Sequence, residues 1–340
     1  MKKNLFFASQ PRSCNAYSAN WCDCHHLGFL NLFLYALIPH SRSERNELVL
    51  SRPLSAHQLN PLWPRPWLYL RSLMFFLLEF ALLYACWRLE GRDDSSVLLP
   101  GLAMMGALTM PITLLIFFWE VNKWRSLTLL DVLRYFFIGS CIVIALAFAL
   151  RCFIDLAPSE RFYYNARGNY FTPSVMLNYG DIPLVLTALI EELPKAIAIM
   201  GIAYVARKHC TILQCILIGA AVGAGFAVIE SAGYAFKNVD NILETIVIRS
   251  LTAPACHVAW GALLGGSLAM SAKGNLRLRT FFKPTFLLAL VSVCLLHFVW
   301  NYLFKMSAPL NRVIELSVFT WFLLLLMIRE GVKETARATH

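Results

Sequence analysis

The stretch from Ile182 to Val205 is apolar enough to cross a bilayer, yet its middle reads Glu191-Glu192-Leu193-Pro194-Lys195. Each charge near mid-bilayer costs about 2.5–3.5 kcal/mol on insertion scales, so three left unrelieved would cost on the order of 8–10 kcal/mol. A helix carrying that load persists only where its ionisable groups face partners, a cavity or water. Pro194 tightens the constraint. It removes the hydrogen bond to the Ile190 carbonyl and opens the backbone beside the two glutamates. Glu191 and Lys195 are four residues apart and share a face, while Glu192 points about 100° away.

The rest of the chain has the composition such a helix needs around it. Of 340 residues, 58% are hydrophobic and only 15% charged, and the mean hydropathy is +0.59. The expected fold is all-α, a polytopic membrane bundle of about eight transmembrane helices. The runs are Trp67–Leu89, Val97–Trp119, Asp131–Leu150, Ile182–Val205, Thr211–Phe236, Ile242–Met270, Phe281–Phe304 and Pro309–Arg329. The sixth is long enough to tilt, or to break at Pro254. Trp67, Trp119, Trp124 and Tyr302 stand near span ends, as interfacial aromatics do.

Lys and Arg orient the bundle. Of 30, 20 fall on the side that carries the N-terminal region and 8 on the other, with Lys195 and Arg249 inside spans. The positive-inside rule puts both termini in the cytoplasm. The net charge of +10 is thus a topology signal, and no basic stripe interleaved with aromatics points to a nucleic-acid partner. The ten cysteines are scattered, several within spans, and read as small core residues, not as a disulfide framework.

The chain divides accordingly. Residues 1–66 form a cytoplasmic N-terminal region, with no signal-peptide pattern after Lys2 and Lys3. Its one apolar stretch, Leu27–Ile38, is too short to span and is expected to lie at the interface. Cys14, Cys22, Cys24, His25 and His26 gather before it, but Cys22-x-Cys24 lacks the usual zinc-ligand spacing. Residues 67–150 hold three accessory spans and 151–180 an extracytoplasmic loop. That loop contains Phe162, Tyr163, Tyr164, Tyr170 and Phe171. Residues 181–305 form the core, and 306–340 the last span and a cytoplasmic tail.

Suspicious polar residues concentrate in the four core spans. Glu191, Glu192 and Lys195 are followed by Glu230 in the fifth span, Arg249 and His257 in the sixth, and His297 and Asn301 in the seventh. At 1.5 Å per residue, Glu230 and His297 lie about 9–10 Å from the outer ends of their spans, Glu191 about 14 Å and His257 about 15–20 Å. Scattered structural residues would not share a level in this way. Glu79, Glu244 and Arg249 are read as structural. Cys256, beside His257, diverges from it on a helix and is not read as a nucleophile. A proton-coupled transporter using the acids as a relay is one alternative reading. A non-catalytic adaptor that retains the pocket is another.

The four motifs Glu191-Glu192-x-x-Lys195, Phe226-x-x-x-Glu230, His257-x-x-x-Gly261 and His297-x-x-x-Asn301 resemble the PrsW family of intramembrane proteases, itself related to CAAX prenyl endopeptidases and bacteriocin-processing enzymes. The resemblance covers about residues 180–305. It implies a membrane peptidase with Glu191, Glu192, Glu230, His257, His297 and Asn301 as catalytic residues, supported by Lys195, Phe226 and Gly261. The family's namesake makes a first cut in an anti-sigma factor on the extracytoplasmic side. The implied partner is therefore a membrane-associated protein or peptide, an anti-sigma factor among the candidates, and the implied location a bacterial plasma membrane.

Two schemes fit the residues. In one, without a cofactor, Glu191 or Glu192 is the general base, His257 shares the water, and His297 and Asn301 stabilise the oxyanion. In the other, Glu230, His257 and His297, with a glutamate of the pair, hold Zn²⁺. The first is preferred on the sequence, because no short His-x-x-x-His pair is present.

Overall fold

The structure, a computed structural model, describes residues 99–122, 127, 129–156, 182–206, 211–238, 242–307 and 310–338, with part of 74–85. The N-terminal region with its Cys/His group, the interfacial Leu27–Ile38 stretch and most of the 151–180 connection lie outside the described residues. What is described is helical with short connections, and most helix ends follow the apolar runs, although the third run continues to Leu156 instead of Leu150 and the last to Ala338 instead of Arg329.

The elements are α1 (Leu99–Val121), α2 (Leu129–Phe137), a π-helical stretch (Ile138–Val143), α3 (Ile144–Leu156), α4 (Ile182–Ala206), α5 (Ile212–Lys237), α6 (Ile242–Ala272), a 3₁₀ turn (Leu278–Phe282), α7 (Pro284–Lys305) and α8 (Leu310–Ala338). Helical residues also occur between 74 and 85. Among the described residues, four helices are long and apolar enough to cross a membrane: Leu129–Ile154, α5, α7 and Asn311–Glu334 within α8. α4 continues through Pro194. α6 runs unbroken past Pro254, and its 31 residues extend about 46 Å, longer than a bilayer's hydrocarbon core is thick.

α5 is the axis of the bundle. Of its most apolar window, 94% is buried inside the protein, against 17–39% for the other three spans. It begins at Thr211, whose hydroxyl accepts the Gln214 N–H. Its middle, Gly219-Ala-Ala-Val-Gly223-Ala-Gly225, has almost no side-chain bulk, which lets neighbouring backbones close in. A Cβ on Gly219 would strike the Gly261 carbonyl of α6, and one on Gly223 the carbonyl of His257. On the opposite side, Gly225 meets the Phe136 carbonyl, and Gly139 in the π stretch meets Val222. α4 and α7 pack on each other and on the α5–α6 pair. These contacts set the level of His257 against α5 to within a carbonyl's width.

The rim is greasy. Phe148, Phe153, Val205 and Leu288 are each about 70% exposed or more, a surface that suits lipid and not water. The Glu334 carboxylate of α8 accepts the Ile212 N–H at the start of α5, 2.7 Å away. The end of α8 and the beginning of α5 therefore lie at one end of the bundle, as alternate crossing requires.

Gly223→Leu is expected to force α6 off α5 and destabilise the fold by at least about 1–3 kcal/mol. Gly201→Ala, where an added Cβ meets nothing, is expected to be neutral or slightly stabilising. Thermal unfolding in detergent micelles checks both.

Candidate active site

Glu192 and Lys195 lie three residues apart on α4, both side chains fully shielded from solvent, with Nζ 2.8 Å from Oε1. An ammonium and a carboxylate so placed compensate each other's desolvation where neither charge would survive alone. The Lys195 ammonium also lies 3.6 Å from the centre of the Phe226 ring and 3.0 Å from His257 Nδ1. An ammonium has only protons to give, so His257 Nδ1 accepts. The ring proton of His257 then sits on Nε2, which lies 2.8 Å from Glu230 Oε2.

His297 has the opposite tautomer. Its Nδ1 is 2.8 Å from Glu192 Oε1, an acceptor, so Nδ1 carries the proton. Its Nε2 lone pair is left facing Glu191 Oε2 at 3.7 Å. One oxygen, Glu192 Oε1, thus takes hydrogen bonds from Lys195 and from His297, with His257 Nδ1 a further 3.8 Å away. The imidazoles are 5.2 Å apart, centre to centre. Trp260 stacks on His297 at 4.9 Å and presents its edge to His257.

The site has two layers. Glu192, Lys195, His257 and His297 are at most 2% exposed, while Glu191, Glu230 and Arg249 are 17–18% exposed and form the mouth. At the mouth, an Arg249 terminal nitrogen lies 2.8 Å from Glu230 Oε2. The Arg249 Nε donates to Ser231 Oγ, and the guanidinium covers the Tyr234 ring at 4.0 Å.

The structure therefore brings together Glu191, Glu192, Lys195, Glu230, His257 and His297, with Phe226 beneath the lysine. Gly261 contributes by admitting the α5 backbone. Asn301 is half-buried one turn beyond His297 and, among the described residues, makes no hydrogen bond to the cluster. Cys256 is buried outside the cluster. Arg249, read from the sequence as structural, touches the site, and Trp260 was not singled out at all. Trp260 stands three residues after His257, and that shared helical face was the available signal.

Four of these residues, Glu191, Glu192, His257 and His297, each offer a ligand atom within 4.8 Å of the other three. The set differs from the Glu230, His257 and His297 trio expected from the sequence. Glu230 lies outside it, engaged with Arg249 and with His257 Nε2.

A family model described as PrsW family intramembrane metalloprotease matches residues 129–328. The chain belongs to the PrsW family. The matched region runs from the first residue of α2 into α8 and holds every residue of the site, so the chain is an enzyme, a membrane peptidase. No curated protein and no solved structure matches it.

The description of PrsW proteins as metalloproteases raises the question of whether these residues suit a metal. They do. Two imidazoles and two carboxylates are a donor set for a divalent ion of the zinc type. Glu191 Oε2, Glu192 Oε2 and, at the mouth, Glu230 Oε2 are buried oxygens with no hydrogen-bond partner, so the carboxylates keep acceptor capacity that a metal could use. The absence of a His-x-x-x-His pair carries no weight, because the two imidazoles come from different helices.

Lys195→Met is expected to leave Glu192 as a buried anion without its cation and to destabilise the protein by about 3–5 kcal/mol. Lys195→Met with Glu192→Gln is expected to recover much of that. Denaturant titration of both variants in micelles is the measurement.

Proposed function

We propose that this chain hydrolyses peptide bonds of membrane-associated proteins at a site reached from the end of the bundle opposite the α8 terminus. The convergence of Glu191, Glu192, His257 and His297, from three helices, on one spot within the membrane carries this reading. The Lys and Arg distribution supports a multi-pass protein of the plasma membrane with both termini in the cytoplasm, the catalytic mouth then opening outward.

Of the four converging residues, Glu192, His257 and His297 would hold a divalent ion, Zn²⁺ by donor type, which leaves Glu191 free for proton transfer. When bound, such an ion supplies a polarised scissile carbonyl and a water that is acidic near neutral pH. The chain's own groups do the rest. Glu191, at the mouth and with an uncommitted oxygen, takes the proton of the attacking water. Glu191 then delivers that proton to the departing amine, while the Nε2–H of His257 stays on Glu230 and holds the ring in place. Lys195 stays against Glu192, so charge shifts in this layer meet a fixed counter-ion instead of bulk water. Asn301, on the same face of α7 as His297, gives a neutral donor for the oxyanion.

The test is cleavage of a single-span substrate in proteoliposomes by wild type, Glu191→Gln and His257→Ala. Both variants are expected to lose at least about 100-fold in rate while keeping their thermal midpoints. A chelator is expected to stop cleavage and stoichiometric Zn²⁺ to restore it. Full activity in a metal-stripped preparation would return the favour to the scheme without a cofactor. Undiminished cleavage by both variants would end the assignment of this site.

A further inference from the structure

The end of the bundle that holds the α8 terminus carries three cations that the hydrolytic scheme does not use. Lys273, Arg277 and Arg279 lie in the short connection from α6 to α7, and each is exposed. Among the described residues none of them pairs with a carboxylate. The chain around them offers none either, since no Asp or Glu occurs between Glu244 and Glu315. Like charges gathered without counter-ions raise the local potential and draw an anion from outside.

The connection is held in place at both ends. Buried Thr280 closes the 3₁₀ turn: its N–H donates to the Arg277 carbonyl at 2.7 Å, and its hydroxyl accepts the Arg277 N–H at 3.2 Å. Lys283 reaches back to the Ser271 carbonyl, 2.6 Å from Nζ, so the fourth cation of the segment is taken up by the fold. The Phe281 ring packs on buried Phe286 of α7, with centroids 5.1 Å apart. The three remaining cations therefore stand on a fixed support and not on a swinging loop.

Two apolar side chains project from the same turn. Leu278 is 62% exposed and Phe282 71%. Phe282 comes two residues before α7, a helix long and apolar enough to span, which sets it at the level where headgroups give way to acyl chains. A free anion would satisfy the cations and leave both side chains in water. An amphiphile with an anionic head satisfies both parts of the surface.

We infer that the α6–α7 connection is a binding surface for anionic phospholipids. Their phosphodiester groups meet Lys273, Arg277 and Arg279, while Leu278 and Phe282 enter the acyl region. Arginine suits the task because its planar fork matches two phosphate oxygens at once. Each cation near an anionic surface contributes roughly fivefold in partition. Lipid binding here does not depend on whether the site at the other end cuts peptides.

The experiment has two arms. In the first, native mass spectrometry counts the lipids kept by the full chain from micelles holding equal amounts of phosphatidylglycerol and phosphatidylcholine. Wild type is expected to favour phosphatidylglycerol by at least about tenfold. The triple variant Lys273→Gln, Arg277→Gln, Arg279→Gln is expected to lose most of that preference. Leu278→Ser with Phe282→Ser is expected to lower phosphatidylglycerol retention by roughly three- to tenfold. Arg134→Gln with Arg329→Gln, which removes exposed cations elsewhere at the same end, is expected to leave the preference within about twofold.

In the second arm, hydrogen exchange on wild type in nanodiscs locates the contact without any substitution. Amides of 274–283 are expected to slow by at least about threefold when phosphatidylglycerol replaces phosphatidylcholine. Should the triple variant fail to fold, this arm still decides. Exchange in 274–283 that ignores the headgroup, or an equal loss of preference from the Arg134 and Arg329 substitutions, would overturn the inference. So would displacement of the lipid by inorganic phosphate at matched concentration, which would mark a site for a free anion. Equal retention of the two lipids would overturn it as well and leave an acidic protein segment as the partner these charges suit.

Discussion

Glu192 Oε1 accepts from the Lys195 ammonium and from the Nδ1–H of His297, in a layer closed to solvent. Withdrawing one charge from water into such a layer costs several kcal/mol, and only a partner in hydrogen-bond range offsets it. The requirement is strict because neither residue can retreat. Both are on the same turn of α4, and α4 is hemmed in by α5, α6 and α7. The ion pair in turn orders the imidazoles. One ring receives a hydrogen bond from the cation and the other donates one to the anion, so the two histidines take opposite tautomers from a single pair of charges.

That arrangement depends on distance between helices, and glycine sets the distance. Where α5 crosses α6, each glycine stands against a carbonyl of the other helix, including the carbonyl of His257 itself. A methyl group there would move the ring relative to Lys195 by more than a hydrogen bond tolerates. The seam and the cluster are therefore one construction: small residues bring the α5 and α6 backbones together, and the approach brings Phe226 and Glu230 against His257.

Much of this was legible before any coordinates. Among the described helices, apolar runs of spanning length marked most ends to within about three residues, because a segment buried in lipid or in protein reads the same way in composition, but α3 continues past Leu150 to Leu156 and α8 past Arg329 to Ala338. Glu191, Glu192, Glu230, His257 and His297 stood out because ionisable groups are conspicuous in such runs. What the sequence withheld was azimuth. Depth along a helix follows from counting residues, but rotation about its axis follows from neighbours. Glu230 was grouped with the imidazoles by depth alone, and its contact with Arg249 is visible only once the rotation of α5 and α6 is known. Arg249 was set aside for the same reason, since its contacts lie across the gap on α5. The π-helical stretch at Ile138–Val143 has no signature in its residues, and its setting is the close passage of Gly139 and Gly225 past opposing carbonyls. Trp260 looks like any core aromatic until the second imidazole is seen beneath it.

The enclosure of α5 has a consequence for how the bilayer acts on this protein. By composition α5 reads as a spanning helix, yet 94% of its most apolar window is covered by protein. Acyl-chain length, fluidity and sterol content press on α3, α7 and α8, whose large side chains face outward. Such changes reach α5 directly from α8 and, from α3 and α7, by way of α4 and α6, so the outer helices act as a mechanical buffer between the host membrane and the chemistry at the centre.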